Sequence, residues 1–252
     1  MASIAIIGSG NVAHHLCGAF IQANHTVVGV WSKTSTHSKK LADTYGIRSF
    51  ETFDRIPESD FTIVSVSDNA LKTVVQKLEN RNGIIAHTSG TIGVEVFKQI
   101  ALGGVFYPLQ TFSKSKEVDL LKVPFLIEGN NNKAENGLLN LAKSISNQVK
   151  IVNSADRKNI HLAAVIACNF TNHLLTLAEE VLAEKDQDIR LLKPLVEETI
   201  QKAFELGPLQ AQTGPAQRRD QNVLDAHLQK LSDHQRLLDI YKNITDSILS
   251  HS

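Results

Sequence analysis

The sequence predicts a doubly wound, mainly parallel α/β sheet followed by an all-helical second domain, the two covering residues 1–153 and 154–252. Three observations carry this reading. Apolar strand-like runs alternate with helical patterns up to about residue 152, a glycine-rich turn follows the first run at once, and after Asn153 the pattern becomes helix upon helix.

The first run, Ile4-Ala5-Ile6-Ile7, opens into Gly8-Ser9-Gly10-Asn11-Val12-Ala13. Strand, glycine turn and helix in that order form a dinucleotide-binding fingerprint of the Rossmann type. Gly8 permits the tight turn, Gly10 lets backbone approach a diphosphate with no Cβ between, and Ala13 allows the helix to pack closely on the strand. The N–H groups of Ser9, Gly10, Asn11 and Val12, with the positive end of the helix, make the anion site. With a strand beginning at residue 4, no leader segment is expected.

Further strands are predicted at 26–31, 61–66, 83–87, 104–107, 123–128 and 148–152, with helices at 11–24, 35–45, 69–78, 92–100 and 133–146. Most of the helical patterns are opened by Asn, Ser or Thr as caps. Beyond residue 153, Leu162, Ile166, Phe170, Leu174, Leu177 and Val181 recur at intervals of three and four. They predict one buried stripe on a helix of about 28 residues. Such a helix spans about 40 Å, a length suited to a domain spine or a dimer core. Helices at 190–206, 222–231 and 234–249 follow, with Gly214-Pro215 interrupting helix between the first two.

Composition narrows the function classes. The chain has 252 residues, 42% of them hydrophobic, and 26 basic residues balance 26 acidic ones. No net field favours nucleic acid or an anionic membrane, and neither is an expected partner. No apolar run approaches the roughly 18 residues needed to span a bilayer. Cys17 and Cys168 lie in apolar helical patterns without metal-ligand spacing, so buried thiols, no metal and a reducing cytoplasm are expected.

About twenty residues past the glycine turn, an NAD enzyme places Asp or Glu against the ribose 2′-hydroxyl. This chain has Ser32, Lys33 and Thr34 there. A cation and two hydroxyls in place of a carboxylate suit a 2′-phosphate, so the expected cofactor is NADP(H). In open sheets the ligand lies beyond the carboxyl ends of the strands. That places Val66 and Ser67, then His87 and Ser89, then Tyr107 and Gln110 near it. Val66, Ser67 and Ser89 are read as cofactor contacts, and His87 and Gln110 as substrate contacts. Asp68 is expected to cap the next helix.

On the long helix Asn169, Asn172, His173 and Thr176 share a face beside the apolar stripe, with His161 two turns earlier. Amide and imidazole groups are costly to bury without partners, so this face is expected to line a polar cleft between the domains. His173, oriented by Asn169, is the first candidate proton donor because imidazole titrates near neutrality; Tyr107 is the alternative. Arg218 suits a substrate carboxylate.

Gly8 to Ala13, His87-Thr88-Ser89-Gly90, Tyr107-Pro108-Leu109-Gln110-Thr111-Phe112, Asn169-Phe170-Thr171-Asn172-His173, and Thr213-Gly214-Pro215 with Arg218 together cover nearly the whole chain. They resemble the family of candidate oxidoreductases that join an N-terminal Rossmann-like domain to a C-terminal helical domain of unknown function. More distantly the layout is similar to pyrroline-carboxylate reductase, prephenate dehydrogenase and the beta-hydroxyacid dehydrogenases. That resemblance implies a helical domain like the C-terminal domain of 6-phosphogluconate dehydrogenase, pairing two subunits into a homodimer. Prephenate dehydrogenases carry His-Pro where this chain has Tyr107-Pro108, and a phenol is a poor base at neutral pH. The beta-hydroxyacid dehydrogenases use a helical lysine followed four residues on by asparagine, where this helix offers Asn169 and His173.

The expected activity is NADP(H)-dependent hydride transfer to or from a small polar carbonyl, imine or alcohol. The alternative is a non-catalytic NADP(H) sensor, since fold alone does not fix function. A deazaflavin reduced by NADPH is a third, weaker reading.

Overall fold

The computed structural model describes residues 1–251. They divide into two compact units, Met1–Cys168 and Asn169–Ser252.

The first unit is built on an eight-stranded sheet, β1 Ser3–Ile7, β2 Thr26–Trp31, β3 Ser49–Phe50, β4 Phe61–Val64, β5 Ile84–His87, β6 Gly103–Pro108, β7 Phe125–Gly129 and β8 Val149–Ile151. The spatial order is β3-β2-β1-β4-β5-β6-β7-β8, so the winding reverses between β1 and β4. All neighbours are parallel except β6 and β7. The reason lies in the connection: between β6 and β7 the chain forms only a short 3₁₀ turn, Leu120–Lys122, and no crossover helix that would allow a parallel return.

Successive residues of a strand face opposite ways, and the core divides accordingly. Ile4 and Ile6 pack with Leu16 and Phe20 of helix α1 (Asn11–Gln22) and with Leu138 of helix α4 (Asn132–Lys143). Ala5 and Ile7 pack on the other face with Leu71 and Val75 of helix α3 (Asp68–Gln76). Helix α2, Ser35–Tyr45, ends at Gly46, whose φ of 64° is the left-handed stop that glycine adopts readily.

The helix predicted at 92–100 is only a 3₁₀ turn, Val94–Phe97. Its run of Ile92, Gly93, Val94 and Val96 has poor helix propensity, and Phe97 packs straight onto Gly103, whose missing side chain leaves the room. The two-residue β3 escaped sequence reading because so short a run has no period. Ser67, not Asp68, holds the cap position of α3.

The long helix begins with α5, Ser154–Ala164, passes through a π-helical turn, Val165–Phe170, and continues as α6, Thr171–Ala183. The division between the two units falls inside the π turn. The apolar stripe along it is not buried within the chain: Leu162, Ile166, Phe170 and Leu174 are exposed and only Leu177 is buried. Cys17 is buried, as expected, but Cys168 on this surface is exposed. The run Ser154–Ala183 holds no uninterrupted apolar stretch of that length, yet it forms a continuous helix of 30 residues. Its most apolar 18-residue window has a mean hydropathy of 1.4 with only 6% buried, enough by length and composition to cross a bilayer.

In the second unit, α7 (Lys193–Leu206) starts at the proline-compatible first turn, after a 3₁₀ turn Ile189–Leu192 that the sequence reading had merged with it. Helices α8 (Pro208–Ala211), α9 (Gln221–Lys230) and α10 (Gln235–His251) complete it. Leu177, Ala216, Leu224 and Leu231 form its small buried centre, while Leu195, Phe204 and Leu209 stand in solvent.

Candidate functional site

A cavity of about 1040 Å³ opens at the carboxyl ends of the strands in the first unit. Its floor is the glycine turn. Gly8 has φ +111°, and a Cβ there would lie 1.9 Å from the Ser65 carbonyl oxygen, so no other residue fits. The Gly8 N–H donates to the Trp31 carbonyl at 2.7 Å. Gly10 caps α1 with nothing within 4 Å of where its Cβ would stand. No side chain caps this helix and no acidic residue occupies its first turn. An uncapped helix end lining a cavity is an anion site in need of an anion.

Gly8, Ser9, Gly10, Asn11 and Val12 line the cavity, as do Ser32, Lys33, Val66, Ser67, Ser89, Tyr107 and Gln110. Ser9 Oγ and Ser32 Oγ lie 2.9 Å apart, tying the turn to the end of β2. Thr34 is not on the wall; it is exposed at the cap position of α2, where its side chain caps nothing. The Ser89 hydroxyl accepts from the N–H groups of Thr91 at 3.1 Å and Ile92 at 3.0 Å, and thereby shapes the turn after β5. The Thr91 hydroxyl donates in turn to the Asp68 carboxylate.

Tyr107 is the reactive-looking group on this wall. Its hydroxyl lies 3.0 Å from Nδ1 of His161, which also lines the cavity. Gly90 makes the pair possible: a Cβ there would stand 2.6 Å from His161 Nδ1 and 2.9 Å from Tyr107 Cζ. Burial raises the Tyr107 phenol above its ordinary value, and the nearby Arg157 guanidinium opposes that rise.

His87 is not on the wall. It is fully buried, its ring stacked on Phe97 at 5.4 Å, and its Nδ1 accepts from the Ser89 N–H at 3.1 Å. Burial first, then the Arg157 charge, lowers its pKa to about 3, so it is neutral at physiological pH. Its Nε2 makes no hydrogen bond of good geometry, although the Gly93 carbonyl is close enough to oppose the shift. The arrangement organises the Ser89 turn rather than meeting a ligand.

Asn169, His173 and Arg218 belong to the second unit, and all three are exposed. Among the described residues no side-chain hydrogen bond joins Asn169, in the π turn, to His173, in the regular helix beyond it.

Sequence reading missed the groups beneath Tyr107. Arg157 is wholly buried; its Nη1 donates to Glu128 Oε2 at 2.5 Å and its Nη2 to the Ile92 carbonyl at 2.7 Å. The Ser154 hydroxyl donates to the same carboxylate at 2.7 Å. The available signal was the spacing of Arg157 and His161, four apart and therefore on one face of α5. Among the described residues no cluster of His, Cys, Asp or Glu is arranged to hold a metal.

Comparison with known proteins follows this division. Residues 1–111 match a Rossmann-like domain model, and residues 123–248, half of the chain, match the domain of unknown function DUF2520. A candidate NADP oxidoreductase from Bacteroides fragilis is 36% identical, with a TM-score of 0.94 over 99% of this chain and 98% of that one. The chain belongs to the DUF2520 family. This DUF2520 protein shares its fold with two more remote structures. One is a reductive aminase from Aspergillus terreus in complex with NADPH and ethyl levulinate, at 15% identity and TM-score 0.69 over 98% of this chain and 92% of that one. The other is 1-pyrroline-5-carboxylate reductase from Streptococcus pyogenes, at 14% identity and TM-score 0.61 over 99% and 98%. No curated protein matches the sequence. The Rossmann-type sheet, the helical second part and the likeness to pyrroline-carboxylate reductase are thus borne out.

Proposed function

We propose that this protein is an NADP(H)-dependent oxidoreductase that interconverts a small polar carbonyl or imine compound and its reduced form. One observation carries the reading: the Tyr107–His161 pair stands on the wall of the same cavity whose floor is the uncapped glycine turn. The similarity to a candidate NADP oxidoreductase at 36% identity supports the cofactor class.

The residues fit the cofactor. Gly8 to Val12 would hold the diphosphate with backbone N–H groups, and Ser32 and Lys33 would meet the 2′-phosphate with no carboxylate to repel it. Val66, Ser67 and Ser89 would contact the ribose and amide. Bound in its reduced form, the nicotinamide supplies the hydride.

The chain's own contribution is the proton. Tyr107 donates from its hydroxyl to the substrate heteroatom, and His161, already bonded to that oxygen through Nδ1, returns a proton to it. Tyr107 therefore moves ahead of His173 as donor, because it lines the cavity of the nucleotide turn within one compact unit. His173 with Asn169 is the alternative donor, Gln110 a substrate contact, and Arg218 the partner for a substrate carboxylate. His87 supports the Ser89 turn in this reading.

A homodimer through the helical part would cover Leu162, Ile166, Phe170 and Leu174, which supports a subunit interface over a bilayer because Asn169, Asn172 and His173 interrupt that surface. The two free cysteines suit the cytoplasm. A library of carbonyl and imine compounds, assayed by NADPH oxidation, tests the function. Turnover lost in Tyr107→Phe but kept in His173→Ala supports the assignment, and the reverse pattern moves the donor to His173. Tight NADPH binding without oxidation by any compound would instead indicate a sensor.

A further inference from the structure

We infer that Lys114, brought over the glycine turn by the loop after β6, is a direct ligand for the diphosphate bridge of the bound dinucleotide. This rests on the cofactor reading above and adds a residue from outside the fingerprint.

The loop is stitched to the start of α1 at three points. Asn11 Nδ2 donates to the Phe112 carbonyl at 2.8 Å, His15 Nε2 lies 2.9 Å from the Ser113 carbonyl, and Lys114 Nζ donates to the Ser9 carbonyl at 2.9 Å. The His15 and Phe112 rings meet at 5.0 Å. Phe112 and Gln110 reach the wall of the nucleotide cavity, whereas Lys114 lines the neighbouring cavity with His14 and His15 and meets the turn from that side.

Charge at this point is one-sided. The positive end of α1 has no acid in its first turn, yet Lys114, His14 and His15 gather beside it. The crowding registers on His14, which burial, then His15, then Lys114 push below the ordinary imidazole value. Two carboxylates share the cavity: Asp119 pairs with Lys122 at 3.3 Å, and Glu117 makes no ion pair among the described residues. Lys114 forms no ion pair either and spends one of its three N–H donors on a neutral carbonyl. Cations beside the positive end of a helix repel it, and an anion in the turn removes that cost for all of them together. A diphosphate held by the N–H groups of Ser9 to Val12 would sit against Ser9, the residue whose carbonyl holds the ammonium.

The test compares two ligands by calorimetry. NADPH has both a 2′-phosphate and a diphosphate bridge; adenosine 2′-monophosphate keeps the 2′-phosphate and has no phosphate at its 5′ position. Lys114→Gln should weaken NADPH about tenfold, as expected for one partly exposed charge-assisted contact. It should leave the 2′-monophosphate unchanged, and Lys114→Arg should recover most of the loss. Lys33→Ala should weaken both ligands. Equal NADPH affinity in Lys114→Gln and wild type, or equal loss of both ligands in Lys114→Gln, overturns the inference while the cofactor reading stands. Wild-type protein that binds neither ligand overturns both.

Discussion

The guanidinium of Arg157 meets the carboxylate of Glu128 at 2.5 Å, and the arginine is entirely withdrawn from solvent. Glu128 is the last residue but one of β7 and Arg157 lies in the first turn of α5, so the pair fastens the start of the long helix to the sheet. Ser154 adds its N–H and hydroxyl to the same carboxylate. One turn further on, on the same face, His161 reaches Tyr107. The Tyr107–His161 pair is thus positioned by a buried ion pair whose residues are not on the cavity wall.

Breaking that ion pair should be costly. Arg157→Met leaves the Glu128 carboxylate, with 13% of its side chain exposed, without its cation. A loss of about 3 kcal/mol is expected, read as a lower urea midpoint. The double variant Arg157→Met with Glu128→Leu should regain part of it, because two apolar side chains leave no orphaned charge. A single variant as stable as wild type would refute the role.

Gly90 should matter to chemistry more than to cofactor binding. In Gly90→Ala the new methyl collides with His161 Nδ1 and Tyr107 Cζ and pries the two rings apart. With a substrate in hand, kcat should fall about a hundredfold, the usual worth of a positioned acid. The Kd for NADPH should change little. An unaltered kcat would count against the pair as proton source.

The two glycines of the turn should fail differently. Gly8→Ala places a Cβ against the Ser65 carbonyl at a φ that disfavours any side chain, so thermal stability should drop sharply. Gly10→Ala meets nothing and should cost the fold at most about 1 kcal/mol. It should nevertheless weaken NADPH markedly, because the methyl enters the space meant for the diphosphate. Equal melting temperatures for the two variants would contradict this geometry.

Acid should destabilise the protein through His87. Its folded pKa, about 3, lies below the unfolded value of 6.5, so the unfolded chain takes up the proton first. The stability His87 contributes is complete above pH 6.5 and is lost as pH falls from there towards 3. His14 and His25, also lowered by burial, act in the same direction. Melting temperatures between pH 7 and pH 4 should fall less steeply in His87→Leu than in wild type.

Sequence alone determined the Rossmann-type sheet, the helical second part and the nucleotide turn. Each is written in local features: the spacing of apolar residues reports periodicity, and Gly8-Ser9-Gly10 reports a backbone that admits no side chain. The strand ends were also legible, and Ser67, Ser89, Tyr107 and Gln110, which follow or end them, line the cavity. Tertiary structure decided what depends on partners far apart in the chain. It buried His87, which no local pattern distinguishes from a strand-end ligand, and it joined Tyr107 to His161 across 54 residues. It turned β7 antiparallel through the lack of a crossover helix, and left Leu162, Ile166 and Phe170 uncovered where their spacing had promised a core. Periodicity tells which residues share a face; only the packed chain determines what, if anything, that face meets.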